Sequence, residues 1–306
     1  QKRWPLALTP IEMLRATVAM NRGADSLLHS HNLRSHEQRY LADLALIQAL
    51  APAGEILEIG AAPCHMTALL KLSGYPVVGV DLEPERVRPF VEQLGLDVRP
   101  CDIERAALPF GDDSFACAML CETFEHLRID PAFVLSELNR VMRPGAALLL
   151  TTPNVYSLPS LGRFLRGHSV ADPLEEFGKL RSLGHMGHVR EYSAREVVRF
   201  LQASGFVVHS IDYRYYPWPV LSLKKRLLRL AYRLAPKRFQ RDIVIVARKA
   251  APSSRLTPLV PVERLRERLD GYAEHYASAY AARMRARLGL LEARDRTNRF
   301  DQQLLR

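Results

Sequence analysis

The stretch EILEIGAAPCHM, residues 55–66, carries the reading of the fold. An apolar, strand-like run ends at Gly60, a loop of small residues follows, and helical periodicity resumes after His65. A strand that feeds a loop and a helix start aims backbone N–H groups at whatever lies beyond the strand's carboxyl end. Asp81 closes the next strand-like run, PVVGVD, about 20 residues on, where an acid accepts hydrogen bonds from both hydroxyls of a ribose. A dinucleotide would also demand G-x-G-x-x-G, whereas the chain supplies Gly60, Ala62 and His65, with no third small residue to let the helix close on a pyrophosphate. An adenosyl group without phosphate needs no such approach. Ala62 and Cys64 each carry a Cβ, which costs little where φ stays negative, so the loop is expected to keep its ligand.

Outward from this loop, short apolar runs alternate with amphipathic stretches. EILEIG is followed by a helix near 66–73, PVVGVD by a helix near 84–94, then come DVRPC, FACAMLCE, a helix near 131–142 and AALLLTT. Alternation of this kind specifies an α/β, doubly wound, Rossmann-like sheet with crossover helices on both faces. Upstream, TPIE (9–12) and SHEQ (35–38) each read as a capping box opening a helix, so residues 1–50 are expected to be N-terminal helices covering the sheet or an acceptor pocket. The main domain is read as 51–250. It carries a polar, glycine-containing lid insertion at 153–190, the helix SAREVVRFLQASGF, the strand VVHSIDYRY, a basic helix within 217–241 and the strand DIVIVARK. Residues 251–306, entered through a proline-bearing linker, read as a C-terminal helical extension.

With 306 residues, 48% of them hydrophobic, the chain can bury a full core. Its formal charge of +10 points to an acidic partner: nucleic acid, an anionic membrane surface or a phosphorylated substrate. The four cysteines include no CxxC pair, which favours reduced thiols and a cytoplasmic setting. No run approaches the roughly 20 apolar residues a bilayer span needs, so peripheral attachment at the inner membrane face is the most membrane contact expected. The tail sets eleven arginines against seven acids, which suits a salt-bridged helix packing on the domain or on a second copy of the chain better than a nucleic-acid arm.

The runs EILEIGAAPC, VVGVDLEP, PCDIERAALPFGDDSFACAMLCETFEHL and LNRVMRPGAALLLTTPN, in that order, resemble the successive motifs of class I S-adenosylmethionine-dependent methyltransferases, over roughly residues 50–250. The resemblance implies a seven-stranded sheet whose last strand is antiparallel. It implies S-adenosyl-L-methionine as cofactor and S-adenosyl-L-homocysteine as product. It assigns Glu58, Gly60 and Ala61 to the loop around the methionine part, Asp81 and Leu82 to the ribose, Asp102 and Ile103 to the adenine, and Cys121 and Glu122 to the strand end beside the sulfonium. Ala62 and Cys64 depart from the pattern, which usually has glycine there. Asp102 equally suits a local turn.

Methyl transfer is an in-line displacement, so most of the work is alignment in a dry pocket. A sugar hydroxyl must in addition lose a proton, which calls for a histidine or carboxylate base, or for a metal that acidifies it. His126, in CETFEHL, is near the methyl group by position, as base or as scaffold. His185 and His188, in GHMGHVREYS, are spaced as metal ligands, but their flanking glycines favour a lid loop over a metal. The "H-x-x-x-Y" stretch resembles acceptor-side residues of the family's sugar- and quinone-modifying branches. That makes His185, Arg190 and Tyr192 candidate substrate contacts and His188 the first choice for base. No metal is assigned. The expected partner is a saccharide or another small-molecule acceptor, with a membrane-held phenolic quinone precursor as rival and a non-catalytic adenosyl-binding protein as the reading from another class. No nucleic acid is favoured, because CETF stands where an Asn/Asp-Pro-Pro-Tyr/Phe motif would be. Residues 217–241 hold eight Lys or Arg and no acid. Leu223, Leu227, Leu230, Ala231 and Leu234 fall on one helical face, which suits either an anionic membrane or a core-packed helix with a solvated basic side.

Overall fold

The computed structural model describes residues 8–20, 26–172, 174–176, 178–179, 187–216 and 223–253. Expectations for His185, for the aromatic start of the basic stretch at 217–222 and for the tail from 254 onward, including its pairing of two copies, lie outside the described residues. None of the helices described is long and apolar enough to cross a membrane.

Strands β1 (Ile56–Ile59), β2 (Val77–Asp81), β3 (Asp97–Pro100), β4 (Phe115–Cys121), β5 (Met142–Pro153), β6 (Phe206–Arg214) and β7 (Asp242–Lys249) form one sheet in the order β3-β2-β1-β4-β5-β7-β6. The first five pair in parallel. β7 enters antiparallel between β5 and β6. The strand order reverses between β1 and β4, and the crevice beyond their carboxyl ends is where open α/β sheets take their ligands.

Alternating side chains divide the core. Leu57, Ile59, Leu120, Leu148 and Ile245 face one side, which α5 (Pro131–Val141) and, after the short α6 (Leu158–Phe164), α7 (Ala194–Ala203) cover with Leu138, Val197 and Leu201. Ile56, Met119, Leu149 and Val244 face the other, packed with Leu14 of α1 (Pro10–Met20), Leu44 and Ile47 of α2 (Ser26–Leu50), Leu69 of α3 (His65–Leu72) and Phe90 of α4 (Arg88–Leu94). Central strands buried on both faces must be apolar throughout, which is why these runs stand out in the chain.

Side chains close three helix starts, the expected one at Thr9 among them. Thr9 and Glu12 close on each other, the Thr9 hydroxyl donating to the Glu12 carboxylate at 2.7 Å. Asp130 caps α5 by accepting from the Ala132 N–H at 3.0 Å, and Ser193 with Glu196 forms a full capping box on α7. The expected start at Ser35 is overturned. α2 runs unbroken from Ser26, because the buried stripe His29, Leu33, Tyr40, Leu44, Ile47 continues through Ser35 at helical spacing and tertiary burial outweighs a local capping signal.

Candidate functional site

The loop after β1 is shaped by its left-handed positions. Gly60 sits at φ 72°, where a Cβ would lie 2.3 Å from the Thr123 hydroxyl at the head of the β4 loop, so no other residue fits. Ala62 stays outside the left-handed region, as expected, but Cys64 does not: it precedes α3 at φ 65°. The expectation of negative φ at Cys64 is therefore corrected. A Cβ there costs about 1 kcal/mol, offset by complete burial of the side chain, which also pushes the thiol's pKa up.

Asp81 lies at the carboxyl end of β2, nearly buried. One carboxylate oxygen accepts from the Ala62 N–H at 2.9 Å and the other from the Glu83 N–H at 3.0 Å, with Arg86 at 3.5 Å. The acid thus ties the loop to the neighbouring strand. Glu58 points under the loop and accepts from the Thr67 hydroxyl at 2.5 Å. Burial raises its pKa to about 8, so it is neutral at pH 7. Asp102 takes the turn role, accepting from the Glu104 N–H at 3.2 Å beside Arg105 at 3.3 Å. Ile103 packs on the core below it, Ala61 is buried under the loop, and Leu82 stays 54% exposed past Asp81.

At the end of β4 the chemistry changes. Cys121 is half-buried, its thiol pKa pushed well up by burial. Glu122 adopts φ 52° and accepts from the Thr151 hydroxyl at 3.0 Å, while its second oxygen faces Arg39 of α2 at 3.3 Å. The side chains of Arg39, Asp43, Glu122, Thr151, Arg214, Tyr216 and Asp242 gather here in a cluster packed too closely to admit a water molecule. Asp43 and Arg214 pair at 2.7 Å. Burial raises the Asp43 pKa to about 6 and that of Asp242 to about 7, the latter helped by the charge of Glu122. The sequence reading missed this cluster, since its members come from α2, β4, β6 and β7. The available signal was Asp43, an acid on the apolar face of α2 beside Leu44 and Ile47.

His126 and His188 meet. Their rings stand edge to face with centroids 5.0 Å apart. The Glu125 carbonyl accepts from the N–H groups of Val189 (2.9 Å) and Arg190 (3.2 Å), which clips the 187–190 segment onto the β4 loop. His126 Nδ1 lies 3.1 Å from the Gly187 carbonyl. A carbonyl only accepts, so Nδ1 carries a proton, and in the neutral ring Nε2 holds the lone pair. The Glu125 side chain, unmarked by the sequence reading, is buried with one oxygen on the Thr152 hydroxyl at 2.9 Å and the other 3.9 Å from His126 Nε2. Burial first, and the charge of Glu122 second, push its pKa well above the carboxylate range. Ligand atoms of Glu125, His126 and His188 lie within 4.8 Å of one another, a set drawn from two loops.

The other acceptor-side candidates separate. Arg190 donates to Glu196 at 2.5 Å and lies over the Tyr192 ring. Tyr192 is turned into the core, 4% exposed and against Phe124 with centroids 4.8 Å apart, because the residue before the Ser193 cap points inward. Its ring therefore serves packing, a correction to its reading as a substrate contact.

Residues 33–211 match the profile of the methyltransferase-domain family. The chain belongs to the class I S-adenosylmethionine-dependent methyltransferases. It is 30% identical over 155 residues to a probable S-adenosylmethionine-dependent methyltransferase of Mycolicibacterium smegmatis, a match spanning 50% of this chain and 52% of the relative, so it covers about half the length of that curated protein. Among solved structures it is similar to a Haloferax volcanii methyltransferase in complex with a methyltransferase activator (16% identity, 78% of this chain and 98% of that one, TM-score 0.50). It is also similar to the Burkholderia thailandensis 1,6-didemethyltoxoflavin-N1-methyltransferase with S-adenosylhomocysteine bound (18% identity, 82% and 94%, TM-score 0.47). At 16% identity the Haloferax volcanii structure speaks for the fold alone. The donor set suits the family's cofactor: an acid at the end of β2, a bare Gly60 beside it, and the apolar Leu82 open at the crevice edge.

Proposed function

We propose that this methyltransferase methylates a hydroxyl of a saccharide, one carried on a lipid and met at an anionic membrane surface. The observation that carries the reading is the meeting of His126 and His188 over Glu125 at the end of β4. A free amine attacks without first losing a proton. A sugar hydroxyl does not, and an acceptor side built from two imidazoles and a carboxylate is what its ionisation requires.

When bound, S-adenosylmethionine supplies a methyl group already activated on a sulfonium. In this reading Asp81 keeps the ribose in register with the loop through its bond to Ala62, and Asp102 and Ile103 mark the adenine side. Cys121 and Glu122 border the reacting methyl. His126 and His188 see to the hydroxyl's proton, with His188, on the lid side, the first choice for its acceptor.

Membrane contact is supported by α8 (Leu223–Leu234). Leu223, Leu227, Leu230 and Leu234 are 52–78% exposed, so the stripe that a core-packed helix would bury is turned outward. The helix holds to the domain through Tyr232, stacked on Tyr215 at 3.9 Å. Arg226, Arg229 and Arg233 are exposed beside the leucines.

Calorimetry with S-adenosylhomocysteine, followed by transfer of labelled methyl to panels of saccharides and of catechols, tests the proposal. Binding heat and label on a sugar oxygen are expected. Label on the catechols alone would replace the sugar by a phenol. Heat without transfer to any acceptor would favour a non-catalytic adenosyl-binding partner, and no heat at high protein concentration would end every enzymatic reading.

A further inference from the structure

We propose that Glu125, His126 and His188 form the ligand set of a divalent first-row metal ion on the acceptor side of the crevice. Its use rests on the O-methylation reading above; its existence does not.

The first observation is an orphaned atom. Glu125 is 1% exposed, and Thr152 occupies one of its carboxylate oxygens, but the other has no hydrogen-bond partner among the described residues. A buried carboxylate oxygen left unsatisfied is costly, and a purely structural acid would have found a donor. The nearest polar atom recorded for it is His126 Nε2, at 3.9 Å. That nitrogen is the lone-pair side of the ring, because Nδ1 donates to the Gly187 carbonyl. A carbonyl behind an imidazole is the usual way to fix the tautomer and aim of a metal-binding histidine. His188 completes the set from the other loop and has Glu191 behind it, its Nδ1 3.5 Å from a carboxylate oxygen.

Distances and access agree. Nitrogen and oxygen ligands at about 2.1 Å from a metal lie about 3.0 to 3.4 Å from one another, so a set already within 4.8 Å needs only about 1 Å of side-chain movement. The movement falls to the two histidines, whose side chains are 38% and 35% exposed, while Glu125 stays anchored. Their exposure also leaves coordination positions open for a hydroxyl oxygen. Two imidazoles with one carboxylate suit Mn²⁺, Fe²⁺, Co²⁺ or Zn²⁺. Ca²⁺, which asks for six or more oxygens, is excluded. Such an ion would lower the pKa of an acceptor hydroxyl; the proton would pass to water at the open mouth of the site, and His126 and His188 would act as ligands in place of the base role given to His188 above.

The experiment uses the full chain, stripped with a chelator and titrated separately with Mn²⁺, followed by loss of the free-ion paramagnetic resonance signal, and with Zn²⁺, followed by calorimetry. S-adenosylhomocysteine is titrated in parallel. One ion per chain is expected for the wild type, with at least about a 100-fold loss of affinity in His126→Ala and in His188→Ala. Glu125→Gln is informative where it folds; the two histidine variants, at half-exposed positions, carry the test where it does not. No binding of either ion by the wild type overturns the proposal, as does undiminished binding by the double histidine variant. Heat with S-adenosylhomocysteine but no metal binding ends this inference and leaves the methyltransferase reading standing. Metal binding without that heat does the reverse.

Discussion

The cofactor end of the crevice and its acceptor end are built differently. Around β1 and β2 the parts are neighbours in sequence: Gly60, Ala62 and Cys64 turn the chain within one loop, and Asp81 reaches back to Ala62 through one hydrogen bond at 2.9 Å. Around β4 they are strangers. His188 reaches His126 because backbone N–H groups of Val189 and Arg190 find the Glu125 carbonyl, and Arg214 reaches Asp43 across the mouth of the sheet. The two ends touch where Gly60 leaves room for Thr123, whose hydroxyl lies 3.3 Å from the Ile59 carbonyl. On the proposed reading, a backbone-shaped half would hold a constant cofactor, while a half assembled from distant side chains would be free to differ with the acceptor.

The sharpest break between the halves is a pair of substitutions. Asp81→Ala removes a charged acceptor of two ribose hydrogen bonds at about 1.5 to 3 kcal/mol each, so affinity for S-adenosylhomocysteine should fall about 100-fold or more while the chain stays folded by circular dichroism. His188→Ala should lower turnover about 100- to 10,000-fold and leave that affinity unchanged. If His188→Ala weakened the cofactor as much as Asp81→Ala does, the halves would not be separable.

A second contrast is in pH response. Glu58, under the cofactor loop, has its folded pKa raised to about 8 from 4.5 by burial. A raised pKa means that the folded state binds the proton more tightly. The group's contribution to stability is therefore complete below about pH 4.5 and is lost as pH rises through 8. Urea midpoints of the wild type should fall between pH 5 and 8. Glu58→Gln should remove about 3 kcal/mol of that loss and leave a smaller slope from Asp43 and Asp242 on the acceptor side. An identical slope in the variant would show that Glu58 ionises freely and that the loop is wetter than its burial implies.

The smallest effect per residue belongs to α8. Arg226→Glu, Arg229→Glu and Arg233→Glu together should release the chain from anionic vesicles at about 1 kcal/mol per charge, read by sedimentation, with S-adenosylhomocysteine binding unchanged. Wild type that never sediments with such vesicles would leave the exposed leucines without this role.

The sequence by itself determined the α/β sheet, its antiparallel close and the glycine turn after β1. Those rest on burial patterns and turn chemistry that act within a few residues: apolar runs for strands covered on both faces, Gly60 for a left-handed turn, Asp81 for a strand end. Where several interactions compete, the local signal was not enough. SHEQ has the form of a helix start, yet the apolar stripe of α2 runs through it. Cys64 accepts a left-handed backbone because its side chain is buried whole, and Tyr192 lies in the core because the Ser193 cap sets the direction of the chain before it. The acceptor side was decided by tertiary structure alone. Glu125 gains meaning only when Thr152 takes one of its oxygens and the segment after Gly187 lays His188 against His126. Contacts between residues this far apart depend on how the whole sheet packs, and no spacing along the chain records them.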